Sequence, residues 1–100
     1  YLDEFMDSIQ WFMKNSHGLR RLGSAATDIA YVACGRYDAF YEYGLNPWDI
    51  AAGVLILREA GGHSSDFRGE NNYLFGKDII CTNGHIHAEF TEAVKSIMLK

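Results

Sequence analysis

The sequence contains little cysteine, little proline and no long apolar run. Its 100 residues include one proline and two cysteines, Cys34 and Cys81, which lie far apart and form no Cys-x-x-Cys motif. Two thiols in a core-forming chain of this size are typical of buried, reduced residues in a cytoplasmic protein. No apolar run approaches the roughly 18 residues that cross a bilayer, so we expect no membrane-spanning segment.

An excess of basic residues is also lacking. Nine Lys and Arg residues against thirteen Asp and Glu residues leave a net charge of −4 with His neutral. This acidic balance provides no overall field that attracts nucleic acid or an anionic membrane, and neither is expected as a partner. Apolar residues make up 48% of the chain and charged residues 22%. These fractions are typical of a single globular domain and exclude a disordered or collagen-like chain.

Several common site motifs are missing as well. The sequence has neither of the two common glycine-rich nucleotide loops, Gly-x-Gly-x-x-Gly and Gly-x-x-x-x-Gly-Lys-Ser/Thr. Cys81, His85 and His87 do not have the spacing of a zinc finger and have no second ligand pair, so we interpret them as a core cysteine and two surface histidines. Cys34, within a predicted helix of small residues, is interpreted as a core residue rather than a nucleophile.

The apolar pattern predicts helices that alternate with strands. Helices are predicted over residues 2–15, 24–34, 47–60 and 85–98, strands over 19–22, 37–43, 63–66 and 78–82, and a surface loop over 67–77. Asn46 and Pro47 suit the cap and the first position of the third helix, whose residues 50–60 are nearly all apolar and are expected to be deeply buried. The alternation favours a layered α/β domain with a sheet between helices on both faces.

The stretch from Glu42 to Asp49 carries the most information about function. It places two carboxylates on a strand end, a turn and a helix start, where α/β sheets usually bind their ligands. Asp49 falls at about the third helical position, where a carboxylate caps the helix by accepting unpaired N–H groups. The same side chain could instead be a ligand of a hard cation, since Mg²⁺ prefers oxygen. Glu42 is similarly either a strand residue whose carboxylate reaches solvent or part of a site.

A second helix start, at Gly23-Ser24-Ala25-Ala26, has only small side chains. Backbone N–H groups at such a position can approach a polar or anionic ligand closely. An ordinary helix entry produces the same pattern, so spacing alone leaves both interpretations open.

The residues themselves indicate a family. The run Asn-Pro-Trp-Asp-Ile-Ala-Ala-Gly at 46–53, followed by Arg-Glu-Ala-Gly-Gly at 58–62, closely resembles the C-terminal signature of the inositol monophosphatase family. Arg-Arg-Leu-Gly-Ser-Ala-Ala at 20–26 and Gly-Arg-Tyr-Asp-Ala-Phe-Tyr-Glu at 35–42 resemble that family in the expected order and spacing. The resemblance covers about residues 2–98 and implies a Mg²⁺-dependent, lithium-inhibited phosphomonoesterase with layered αβαβα subunits that usually form homodimers.

The resemblance also implies roles for particular residues. Asp49 resembles the metal-ligating aspartate of the family, and Glu42 resembles the glutamate that hydrogen-bonds a substrate hydroxyl. Gly23, Ser24 and Ala25 match the segment that lines the inositol side of the pocket.

The family's remaining metal ligands have no counterpart here. They lie in an N-terminal half, on an acidic helix residue and an Asp-Pro-x-Asp-Gly-Thr motif, and the sole proline of this chain is Pro47. One carboxylate cannot retain Mg²⁺, which demands near-octahedral oxygen coordination. We therefore expect residues 1–100 to be the C-terminal α/β domain of a longer phosphatase, with no complete catalytic set and no activity alone. The start at Tyr1 rather than at Met agrees with this expectation.

Three functions follow as hypotheses. The first is hydrolysis of inositol monophosphate or a similar sugar phosphate by the full-length protein. A near alternative is a 3′-phosphoadenosine phosphate or bisphosphate nucleotidase of the same superfamily. An alternative from another class is a non-catalytic module that only associates, through the aromatic strand 37–43 and the apolar helix 50–60.

Overall fold

The computed structural model describes residues 2–16 and 25–99. These residues form four helices and three strands, in the order α1 (Leu2–Asn15), α2 (Ala25–Ala33), β1 (Ala39–Tyr43), α3 (Pro47–Glu59), β2 (His63–Ser65), β3 (Asp78–Thr82) and α4 (His87–Met98). The strand predicted over 19–22 lies outside the described residues. The other predicted helices and strands are present, although β1 begins two residues later than predicted and α4 begins at His87.

The three strands form one antiparallel sheet in the order β1-β3-β2. β3 lies between the other two strands, and all five of its residues are buried. In its register with β1, Ala39 pairs with Thr82 and Tyr43 pairs with Asp78. The shortest strand, β2, pairs with the C-terminal part of β3, His63 with Thr82.

Helices cover both faces of this sheet. Successive side chains of β3 point to opposite sides, so the apolar residues of this strand contribute to a core on each face. On one face, Ile79 and Cys81 belong to a core that α2 and α3 complete with Ile29, Val32, Ile50, Val54 and Leu57. On the other face, Ile80 packs with Phe12 of α1, with Phe67, and with Val94 and Met98 of α4. The predicted layered α/β class, with helices on both faces of the sheet, is confirmed.

The prediction that the third helix is deeply buried is wrong. Only one side of α3 faces the sheet, through residues such as Ile50 and Leu57. The opposite side leaves Trp48, Leu55 and Ile56 exposed, at 78%, 62% and 53% of their surface. A helix with a packing layer on one side buries only one stripe of its surface, and within the described residues that layer is the one formed by α2 and the sheet.

One further prediction about burial is wrong, and another holds except at two residues. Cys34 follows the last residue of α2 and is exposed, since the helix ends before it, whereas Cys81 is buried and both thiols are free. The segment 67–77 runs outside the helices and strands as predicted, but Phe67 and Tyr73 turn inward and are buried.

In the described part of the chain, no helix is both long and apolar enough to cross a membrane.

Candidate functional site

A short turn between β1 and α3 positions the two predicted site carboxylates. Strand β1 ends at Tyr43, Gly44 follows with a φ of +81°, and α3 begins at Pro47. Such a φ is strained for any side chain with a Cβ atom, which explains the glycine. The Gly44 N–H donates a hydrogen bond to the carbonyl oxygen of Lys77 at 2.6 Å, so the turn is fastened to the segment that precedes β3.

Asp49 caps the helix that it begins. Its Oδ2 accepts a hydrogen bond from the backbone N–H of Asn46 at 3.0 Å, and its own N–H donates to the Asn46 carbonyl oxygen at 2.9 Å. The predicted third helical position and the capping role are therefore confirmed. The other carboxylate oxygen, Oδ1, makes no hydrogen bond to any described residue. Capping with one oxygen fixes the side-chain rotamer and leaves the second oxygen for another partner.

Glu42 is a buried carboxylate on the α2 and α3 side of the sheet. It pairs with Ile79 across the β1–β3 register, and directly opposite residues of an antiparallel pair share a face. Ile79 belongs to the core beneath α2 and α3, so Glu42 lies on that side. Its side chain is 7% exposed and its Oε1 accepts a hydrogen bond from the Tyr43 N–H at 3.1 Å. The interpretation of Glu42 as a strand residue that reaches solvent is therefore wrong.

The charge of Glu42 also acts on its neighbour in the strand. Tyr41 points to the opposite face, where its hydroxyl lies 2.7 Å from the Ser8 Oγ. Burial raises the pKa of the Tyr41 hydroxyl, the Ser8 hydrogen bond opposes this effect, and the Glu42 carboxylate adds to the increase. The Tyr41 hydroxyl is consequently neutral and has a structural role at physiological pH.

The structure describes only one of the three small residues that were predicted to line the substrate pocket. Gly23 and Ser24 lie outside the described residues, and Ala25 is the first residue of α2. The structure therefore brings Glu42 and Asp49 to one side of the sheet, at the two ends of a short turn, and leaves the position of the Gly23–Ala25 segment relative to them as a prediction.

A cleft of about 750 Å³ lies elsewhere, between α1, the residues that lead into β1, and the start of α4. Its walls combine aromatic and charged side chains, including Trp11, Asp28, Arg36, Tyr37, Glu89 and Phe90. Neither Glu42 nor Asp49 lines it. The cleft therefore does not include either of these two carboxylates.

Comparison with known proteins decides the family. A model of the inositol monophosphatase family matches residues 3–99. The chain belongs to the inositol monophosphatase family. It is 47% identical over 91 residues to an inositol-1-monophosphatase of Mesorhizobium japonicum. It is also 43% identical over 97 residues to the Nus factor SuhB of Pseudomonas aeruginosa.

The fold agrees with this assignment. The solved structure of an IMPase from Thermotoga maritima matches with a TM-score of 0.89 at 42% identity, covering 99% of this chain and 39% of that one. The matches to the Mesorhizobium and Pseudomonas proteins cover 91% and 97% of this chain but only 34% and 33% of theirs. The chain therefore spans about a third of the length of these relatives.

Members of the inositol monophosphatase family are generally metal-dependent, so the donor set of this chain can be tested against a metal. An Asp49 oxygen is a suitable ligand for a hard cation. The described residues contain no group of three or more His, Cys, Asp or Glu side chains that could hold a metal ion. The donor chemistry thus fits, but the number of donors does not, and residues 2–16 and 25–99 do not form a metal site by themselves.

Sequence reasoning missed two polar residues of this chain, one of them buried and the other partly buried. Asp28, on α2, is 5% exposed and lies beside the core residue Ile29. His87, interpreted from the sequence as a surface histidine, is only partly exposed, and both of its ring nitrogens lie within hydrogen-bond distance of hydroxyl groups. A charged residue in the otherwise apolar α2 was the available signal for Asp28. Nothing local in the sequence indicated that His87 contacts Ser65 and Thr82, because these residues lie on two different strands and His87 lies on a helix.

Proposed function

We propose that this chain is the C-terminal part of a Mg²⁺-dependent phosphomonoesterase that hydrolyses inositol monophosphate or a similar sugar phosphate. The observation that carries the proposal is the placement of Glu42 and Asp49 at one turn, on one side of the sheet. The 47% identity to the Mesorhizobium inositol-1-monophosphatase supports it. Complete catalysis needs further residues from outside the 100 residues of this chain.

Asp49 is proposed to supply one oxygen ligand to Mg²⁺, with the other ligands contributed by the rest of the protein. Its cap contact with Asn46 holds the carboxylate in one geometry. With Asp49 among its ligands, a bound Mg²⁺ ion would supply activation of a water and stabilisation of the negative charge on the leaving oxygen. The part played by this chain is to orient one carboxylate on a rigid helix start.

Glu42 is proposed to accept a hydrogen bond from a substrate hydroxyl. Its carboxylate is buried on the same side of the sheet as α3, so a hydrogen bond that it accepts there is charge-assisted and shielded from water. Gly23, Ser24 and Ala25 are proposed to line the sugar side of the same pocket, since small side chains permit close approach to backbone N–H groups.

The exposed side of α3 supports the proposal that this is one domain of a larger subunit. Trp48, Leu55 and Ile56 form an apolar surface of a kind that is rarely left open to water. The relatives are about three times as long as this chain. We infer that a preceding catalytic half packs on this side of α3, within a lithium-sensitive, cytoplasmic homodimer.

Phosphate release tests the proposed function. Intact protein is incubated with Mg²⁺ and either inositol monophosphate or 3′-phosphoadenosine phosphate, and the 100-residue chain is assayed in parallel. We expect Mg²⁺-dependent, lithium-inhibited turnover of inositol monophosphate by the intact protein and none by the chain. Preference for the nucleotide would favour the nucleotidase alternative. Turnover by the chain alone, or none by the intact protein, would contradict the proposal.

The exposed apolar surface of α3 also favours the second candidate, a module that only associates. Light scattering on the isolated chain addresses it directly. Self-association together with an inactive intact protein would support the module. A monomer at low concentration would count against it.

A further inference from the structure

His87 joins three secondary-structure elements through its ring. It is the first residue of α4, its Nδ1 lies 2.9 Å from the Thr82 Oγ1 of β3, and its Nε2 lies 3.0 Å from the Ser65 Oγ of β2. Thr82 and Ser65 are 0% and 4% exposed. The ring therefore connects the start of α4 to two neighbouring strands through buried hydroxyl groups.

The hydrogen-bond donors in this network assign the protonation state and the tautomer of the His87 ring. The Ser65 hydroxyl donates to the carbonyl oxygen of Asp66 at 3.0 Å, which uses its one hydrogen. The His87 Nε2 must then carry a hydrogen and donate to Ser65. The Gly84 N–H donates to the Thr82 Oγ1 at 3.1 Å, and the Thr82 hydroxyl is free to donate to the His87 Nδ1. Every contact is satisfied by a neutral imidazole with its proton on Nε2.

The charged groups around the ring do not favour its cation. Burial lowers the pKa of His87, and the nearby His63 of β2, whose ring centroid is 5.7 Å away, lowers it further. The buried carboxylates that follow β2 and begin β3 are bonded to backbone N–H groups: Asp66 accepts hydrogen bonds from residues 68 and 70, and Asp78 accepts one from residue 67. Glu89, on α4 itself, is exposed.

The remaining neighbour of α4 is α1, which contributes aromatic packing. Phe12 of α1 and Phe90 of α4 have ring centroids 5.0 Å apart. The ionisable residues of α1 are Asp3, Glu4, Asp7 and Lys14, and all but the partly exposed Glu4 are exposed. The neighbouring charge that acts on this ring is that of His63, and it opposes a second positive charge.

We propose that His87 is a pH-sensitive latch, which in its neutral form holds the start of α4 against β2 and β3 and which opens when the ring is protonated. A proton on Nδ1 would turn this contact into one in which the ring donates to the Thr82 oxygen, so the buried Thr82 hydroxyl hydrogen would lose the acceptor that Nδ1 now provides. Ser65 cannot act here as a nucleophile activated by His87, because it is buried and its hydrogen is given to Asp66.

Opening of the latch has a consequence for the cleft. Ile86, Glu89 and Phe90, all at or beside the start of α4, line one wall of the 750 Å³ cleft. Protonation of His87 would therefore loosen a wall of this cleft without touching Glu42 or Asp49. The inference concerns the fold of this chain and is independent of the proposed phosphatase activity.

The direction of the pH effect follows from the lowered pKa. The ordinary pKa of a histidine is 6.5, and the pKa of His87 in the folded chain is lower. Between these two values the His87 ring is protonated in the unfolded chain but neutral in the folded chain. The latch thus contributes its full stability above pH 6.5 and loses it as pH falls through the lower pKa of the folded state. Each unit of pKa lowering corresponds to about a tenfold change in the unfolding equilibrium constant.

Urea denaturation of the full chain between pH 7.5 and 5 tests the latch, using His87→Gln and, as a control, His85→Gln, whose side chain is exposed. We expect the wild type and His85→Gln to lose stability as pH falls, and His87→Gln to lose clearly less. An equal loss in all three proteins would overturn the proposal.

An NMR titration keeps the proposal testable if His87→Gln does not fold. In the wild type we expect the Nε2–H tautomer of His87 at pH 7.5 and a titration midpoint below the ordinary value of 6.5. We also expect His63→Ala to raise the His87 midpoint, since it removes a neighbouring positive charge. A His87 midpoint at or above 6.5, or the Nδ1–H tautomer, would show that the latch does not exist.

Discussion

Replacing Asp49 by Asn separates the two roles assigned to this side chain. Asn keeps an oxygen that can accept the hydrogen bond now made from the Asn46 N–H at 3.0 Å, but it loses the charge and replaces the second oxygen, the proposed metal ligand, by an NH2 group. Loss of a charge in the first turn of a helix costs about 0.3–1 kcal/mol, so the free energy of unfolding should fall by less than about 1 kcal/mol. Loss of a metal-ligating carboxylate should lower the activity of the intact protein roughly 100-fold or more.

Asp49→Ala provides the comparison, because it removes the cap acceptor as well. Loss of a helix cap costs about 0.5–2 kcal/mol, so this variant should be less stable than Asp49→Asn but equally inactive. Glu59→Gln, an exposed charge at the other end of α3, is the control for charge loss alone. Stability is measured by urea denaturation, and activity as phosphate released per folded molecule. A wild-type rate for folded Asp49→Asn would refute the metal-ligand role and leave Asp49 as a cap.

Two further predictions concern packing and the thiols. Gly62→Ala should lower the free energy of unfolding by about 2 kcal/mol, because the added Cβ would lie 2.7 Å from the Thr82 carbonyl oxygen and force the backbone to move. Urea denaturation measures this change. A decrease of less than ~0.5 kcal/mol would contradict the prediction. Cys34, which is exposed, should react with a thiol reagent in the folded chain, whereas burial protects Cys81 and raises its pKa to about 12. Thiol counting before and after denaturation checks this, and two reactive thiols in the folded chain would show that the core around Cys81 opens.

Local sequence signals predicted the helix starts and the class of fold well. Asn46 and Pro47 marked the start of α3, and this start placed Asp49 at the third helical position, as observed. The apolar run at 78–82 predicted a buried strand, and β3 is the buried centre of the sheet. These features depend on neighbours in the chain, for which the sequence is a sufficient guide.

Burial was harder to predict from the sequence. Leu55 and Ile56 are as apolar as Val54 and Leu57, yet only the latter pair faces the core. Composition gives the helix its apolar character, but the direction of the single packing layer decides which stripe is covered. Cys34 was misplaced for a related reason, because α2 ends one residue before it and leaves it outside the packed helix.

The sequence by itself determined the family, the succession of helices and strands, and the identity of Glu42 and Asp49 as residues of interest, because motifs and caps depend on residue order. The tertiary structure alone decided that Glu42 is buried on the side of α3, since this depends on the register with β3. It alone revealed that His87 meets Ser65 and Thr82, because those hydroxyl groups reach the ring only after two strands pair and α4 packs beside them.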